Sequence, residues 1–110
     1  MGLDNFWRKD GESASVEGEF NLYGAGLTGF GNDSFRGKMY YRFIMDACNE
    51  SLFQYEISNE TVQDIAWSLE SHTWRPEYEE IYDITEEEFN DLRRMFRLHA
   101  DAGHTLHGNW

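Results

Sequence analysis

His99, His104 and His107, with Asp101 among them, are the residues of this chain whose types suit a metal site. Imidazole and carboxylate are zinc-type donors, and clusters of them hold metals when the chain makes them converge. Here four residues separate the first two histidines and two separate the second pair, a spacing that matches no converging scaffold. His99 also falls on the apolar face of a helix, where a histidine satisfied by its neighbours is the ordinary outcome. A tail after Gly103 can fold back towards it. The three histidines therefore stand as weak candidates, and no metal or other cofactor is expected.

The second candidate is glycine-rich. Gly24, Gly26 and Gly29 spell G-x-G-x-x-G within "LYGAGLTGFGNDSFRGKMYY". In a dinucleotide fold that pattern joins a buried strand directly to a helix, and an acid about twenty residues on holds a ribose. Here the preceding "EFNLY" is short and polar, and Asp46 falls within the next helical pattern, which starts only near Phe35. A phosphate loop is also unsupported: five residues separate Gly31 from Gly37, and Met39 follows Lys38 where a hydroxyl is needed. What survives is a turn leading into a helix, with Gly31, Ser34, Arg36 and Lys38 as a possible small-anion site.

Catalytic arrangements are weaker still. Cys48 sits between apolar neighbours, which suits a small buried hydrophobe. The acids of "EEIYD" and "EFND" resemble paired magnesium-binding motifs of helical pyrophosphohydrolases, but they lie too close together to face one another across two helices. The chain reads as a binding protein in preference to an enzyme.

The acidic band from residue 77 to 91, "EYEEIYDITEEEFND", is the strongest feature: eight acids, no base, and aromatic or aliphatic residues between them. Glu86, Glu87 and Glu88 suit a helix N-terminus, and a solvated surface would account for much of the rest. The functional reading is a docking face for a basic protein surface. In it Glu77, Glu79, Glu80, Asp83, Glu86 and Glu87 steer the encounter, and Tyr78 and Tyr82 serve as anchors.

The elements that must position these residues follow from composition and periodicity. At 110 residues with 40% hydrophobic and 16% aromatic content, the chain can bury one core. Its net charge is −12, concentrated in residues 45–91, which hold 14 acids and only Arg75 as a base. Such a surface repels phosphates, so direct nucleic-acid binding is not expected. No apolar run approaches membrane length, and no secretory leader is evident. With Cys48 the one cysteine, a reducing, cytoplasmic setting is expected.

Residues 3–9 and 16–23 read as extended, a hairpin about Asp10-Gly11. A first helix is expected from Asp33 or Ser34 as cap, through Phe35, to a stop at Asn49. "SLFQYEI" alternates like a strand, and "EEIYDI" is a second such candidate. A second helix starts at Ser58 or Asn59, with Val62, Ile65, Ala66 and Leu69 on one face. The third carries a Thr85–Glu88 capping box, lines Phe89, Leu92, Met95, Phe96 and His99 along one side, and stops at Gly103. The fold class is α+β: a small antiparallel sheet or hairpin packed with about three helices in a single domain.

The opening "MGLDNFW", the stretch "GFGNDSFRGKMYYRF" and the closing "EFNDLRRMFRLHADAGHTLHGNW" together resemble small phage and prophage proteins of no established activity. That resemblance implies a phage origin and raises the expectation of a host-interaction or anti-defence role. It carries no catalytic residues with it.

Overall fold

The computed structural model of the protein describes residues 2–25 and 32–110. Among these residues it is an α+β fold in which four strands form one antiparallel sheet: β1 (Asp4–Lys9), β2 (Glu12–Ser13), β3 (Ser34–Phe35) and β4 (Thr105–Asn109). Four α-helices accompany them: α1 (Tyr41–Cys48), α2 (Asn59–Glu70), α3 (Glu77–Tyr82) and α4 (Glu86–Asp101). β1 is the spine of the sheet. β4 runs along one side of it, from Asp4↔Asn109 to Arg8↔Thr105. β3 and β2 share the other side, β3 beside Asn5 and Phe6, β2 beside Arg8 and Lys9. No helix among the described residues is long and apolar enough to cross a membrane.

The hairpin turn forms where the Asp-Gly pair directs it. Asp10 and Gly11 both adopt positive φ (53° and 80°), the backbone that such a turn requires. The return arm, however, is only Glu12–Ser13, and residues 16–23 form no strand. Side chains hold that segment instead. Asn21 N–H donates to Asp91 (2.7 Å), the Asn32 amide donates to the Val16 carbonyl (3.2 Å), and the Arg94 guanidinium lies over the Phe20 ring.

The expected first helix is shortened for a non-local reason. Ser34 and Phe35 join the sheet beside β1, a 3-10 turn covers Gly37–Met39, and α1 begins only at Tyr41. Asp33 and Ser34 are buried against the sheet and cap no helix; the Asp33 carbonyl accepts from Trp7 N–H (2.8 Å). The stop at Asn49 is as expected, in the left-handed region with φ 56°. Gly37 is required by contact: a Cβ there would lie 1.8 Å from Asn5 Oδ1.

"SLFQYEI" is not a strand, and "EEIYDI" lies across α3 and its exit. The first segment runs beside β4, where Ile57 and Leu106 exchange backbone hydrogen bonds (2.7 and 3.0 Å). Two residues further along β4, Gly108 N–H reaches the carbonyl of Gln54 (2.9 Å) where regular pairing would put Tyr55. One extra residue on the 54–57 side disrupts the ladder, as in a β-bulge. The second segment is helical to Tyr82 and ends at Asp83 in the left-handed conformation (φ 57°), which places Ile84 in the core.

α2 and α4 match expectation because their signals are local. Ser58 accepts from Thr61 N–H at 3.3 Å, and Val62, Ile65, Ala66 and Leu69 are buried. Thr85 and Glu88 form a reciprocal capping box with both hydrogen bonds at 3.1 Å. Thr85→Ala should lower the unfolding free energy by about 1 kcal/mol. An unchanged urea midpoint would mean that Glu88 holds the helix start without the hydroxyl.

The core joins these layers. Trp7, fully buried on β1, packs against Phe35 of β3 and Phe96 of α4. α2 lies along α4, and Phe43 of α1 meets Phe89 of α4 at 5.8 Å between ring centroids.

Candidate functional site

α3 and the first turn of α4 carry the acidic band. Pro76 precedes α3 and suits a helix start, and Glu77, Glu79 and Glu80 crowd its first turn, where the helix dipole favours negative charge. Asp83 has no such support, because it sits at the C-terminal end of α3. Glu86 and Glu87 then open α4. All six of these acids are exposed. Among the described residues none of the six lies in an ion pair; the four ion pairs found engage Asp4, Asp91, Glu70 and Asp101 instead. The capping glutamate behaves differently. Glu88 is buried, and it accepts from the Tyr40 hydroxyl (2.8 Å) as well as from Thr85 N–H. Burial raises the Tyr40 phenol well above its usual range, and the hydrogen bond to Glu88 adds to this.

The tyrosines of the band are half-buried. Tyr78 packs on Phe43 (5.2 Å) and on Trp74 (5.7 Å). Tyr82 also packs on Phe43, and its hydroxyl donates to Asp46 of α1 (2.7 Å), which raises the phenol's pKa. Both rings therefore fasten α3 to α1. The apolar side chain that α3 shows to solvent is Ile81, which is 52% exposed.

The proposed anion residues do not converge. Ser34 is buried and donates to the Gly24 carbonyl at 3.3 Å. Arg36 Nε lies 2.9 Å from Asp4 Oδ1, an ion pair whose angle makes no hydrogen bond. Lys38 is exposed, and its backbone N–H is spent on the Leu3 carbonyl. Gly31, with Gly26 and Gly29, lies outside the described residues.

His99 and His104 do meet, but as partners of one another. Their Nδ1 atoms are 2.8 Å apart, and His99 Nε2 is 2.9 Å from the Asn32 carbonyl. One tautomer set satisfies both contacts: His99 donates from Nε2 to Asn32 and accepts at Nδ1 from His104 Nδ1–H. Tetrahedral zinc, with bonds of about 2 Å, would hold two nitrogens roughly 3.3 Å apart, and here both Nδ1 atoms are spent on each other at 2.8 Å. Burial and His104 push His99 down to about 3, and burial and Lys9 lower His104. His107, on β4, is 3.0 Å from the Thr105 hydroxyl. Among the described residues no three His, Cys, Asp or Glu side chains gather as a metal site. The Cys48 thiol is pushed up to about 12, chiefly by burial, so it is a poor nucleophile at neutral pH.

A second surface lies beside α1. Tyr41, Phe53 and Trp110 touch in edge-to-face order (5.1 and 5.6 Å), and Tyr55 stacks on Trp110 at 5.1 Å. Tyr55 is 82% exposed. Exposed rings at both 53 and 55 are the readable trace of this surface, since a regular strand would point the two the same way. Beside the rings, α1 and Ser51 enclose a cavity of about 250 Å³ lined by Tyr41, Arg42, Met45, Asp46 and Phe53. Asp46 is shared: it lines this cavity and also holds Tyr82 of the acidic helix.

No family model matches the chain, and no curated protein or solved structure matches it.

Proposed function

We propose that this is a small acidic binding protein that docks onto a basic protein surface through α3 and the first turn of α4. The observation that carries this reading is the set of six exposed acids, Glu77, Glu79, Glu80, Asp83, Glu86 and Glu87, which take no ion-pair partner among the described residues. Like charges held together on short, anchored elements repel one another, and a basic partner relieves that repulsion on contact. The fastening of α3 by Tyr78 and Tyr82 supports the same reading, because a rigid charged element loses little entropy on docking. The resemblance to phage proteins makes a host-interaction or anti-defence role in a host cytoplasm the natural setting. The alternative, a small-anion site at residues 24–38, draws no support from how the described residues Ser34, Arg36 and Lys38 are placed.

The test is affinity capture from host lysate by wild type and by a variant with Glu79, Glu80, Glu86 and Glu87 all changed to Gln. The variant should lose the basic proteins that wild type retains, and raising the salt should release them from wild type. An identical set of captured proteins would overturn the proposal.

A further inference from the structure

The ring ledge and its cavity point to a more specific occupant. We infer that the cavity between α1 and Ser51 receives an arginine side chain from an extended segment of the partner, with the neighbouring backbone and side chains lying across Phe53, Trp110 and Tyr55. This rests on the reading that the partner is a basic protein.

Size argues for a side chain. At about 250 Å³ the cavity is smaller than the ~300–1,000 Å³ of pockets that engulf whole small molecules. Its walls suit an alkyl stem, with Tyr41, Met45 and Phe53 supplying apolar surface and Asp46 a carboxylate. The Tyr82 hydroxyl holds one oxygen of that carboxylate at 2.7 Å, so the acceptor is already positioned. A guanidinium matches it better than an ammonium, since its planar fork bonds carboxylates and also stacks on rings.

Charge and ring chemistry agree. Glu50 and Glu56 flank the ledge in sequence, and Arg42 is the one base lining the cavity. Arg42 displays the same chemistry within the molecule, for its guanidinium lies 6.0 Å from the Tyr82 ring centroid. Trp and Tyr faces attract cations, indole most strongly. Contiguous exposed apolar surface rimmed by polar residues is the kind of surface on which proteins dock. Asp46 makes the ledge continuous with the acidic helix, so one extended basic segment can span both.

The experiment uses fluorescence anisotropy with a labelled, unstructured peptide of alternating arginine and alanine, and its counterpart with citrulline in place of every arginine. Wild type should bind the arginine peptide. A Tyr55→Ala/Trp110→Ala variant should weaken binding at least about tenfold, and citrulline should abolish it. Arg42→Gln should tighten binding by removing a like charge from the cavity. Tyr55 is 82% exposed and Trp110 43%, so urea midpoints close to wild type will show that the variant folds.

Failure of the arginine peptide to bind overturns the inference, as does equal affinity for the citrulline peptide. If the ring variant binds as well as wild type while the four-glutamine variant does not, the ledge is wrong and the acidic-helix reading stands. The reverse pattern sinks the acidic helix and keeps the ledge. Sedimentation gives a last check: a wild-type dimer that becomes monomeric in the ring variant means that a second copy of this chain covers the ledge, which also overturns the inference.

Discussion

Trp7→Ala should lower the unfolding free energy by about 3–5 kcal/mol, a large part of the ~5–15 kcal/mol that holds a domain of this size folded. Trp7 has no exposed surface and sits where β1, β3 and α4 meet. Its ring lies 5.2 Å from Phe96 edge-on, 6.0 Å from Phe35, and stacks on His99 at 4.0 Å with the planes 6° apart. Alanine leaves a cavity bounded by elements from both ends of the chain, which cannot collapse without breaking the sheet. Trp7→Phe tests the origin of the effect. The indole N–H is buried with no acceptor among the described residues. Phenylalanine removes that unpaired donor while keeping most of the ring contacts, so its cost should be less than half that of alanine. Urea denaturation with an unchanged slope is the measurement. Equal losses in the two variants would show that the whole indole outline, and not ring burial as such, is what the site requires.

The second large effect is on acid stability. His99 is neutral in the folded protein, because burial and His104 depress its pKa from the ordinary 6.5 to about 3. Above 6.5 neither the folded nor the unfolded chain carries this proton, and the residue adds no pH dependence. Below 6.5 the unfolded chain takes up the proton and the folded one does not, so stability falls as the pH drops, until the folded group itself titrates near 3. The loss from His99 alone between about pH 8 and about pH 5 is roughly 2 kcal/mol. His104 is lowered too and adds in the same direction, though it can take a second proton at Nε2 and still donate from Nδ1. Glu70, lowered by its hydrogen bonds with Arg97, contributes only below the ordinary carboxylate range. The comparison is between wild type and His99→Gln, with urea midpoints taken at both pH values. The variant should be less stable at the higher pH and should lose clearly less on acidification. Parallel pH profiles would remove His99 as the cause.

What the sequence revealed divides along the reach of each signal. The Thr85–Glu88 box and the Ser58 cap are bonds within one helical turn, so α4 and α2 begin where residue types place them. Asp10-Gly11 works on the same scale. Ser34 and Phe35 looked like the entry to a helix, yet the decisive partners are Phe6 and Asn5, which no local window contains. The alternation of "SLFQYEI" made no strand: Leu52 and Ile57, from opposite faces of that pattern, are both buried, and one extra residue against Gly108 breaks the ladder. "EEIYDI" was too short for its period to separate helix from strand. At the candidate site, the six exposed acids could be read directly from charge. The inward duty of Tyr78 and Tyr82 depended on Phe43 and Asp46, more than thirty residues away in sequence. Of the ledge only the rings at 53 and 55 left a trace in the sequence, because Trp110 and Tyr41 meet through Phe53.

The pairing of β1 with β4 also sets an order of events during synthesis. β1 is made before β4, the strand that lies along almost its whole length. Until β4 arrives, one hydrogen-bonding edge of β1 has no strand to pair with, and Trp7 lacks the α4 surface that buries it. Closing a loop that runs from Lys9 to Thr105 carries an entropic cost, so this pairing belongs late in folding. The nascent chain therefore carries an open, aromatic strand edge until the residues between β1 and β4 have been made. That is the interval in which it is most exposed to aggregation, and most in need of a chaperone's cover.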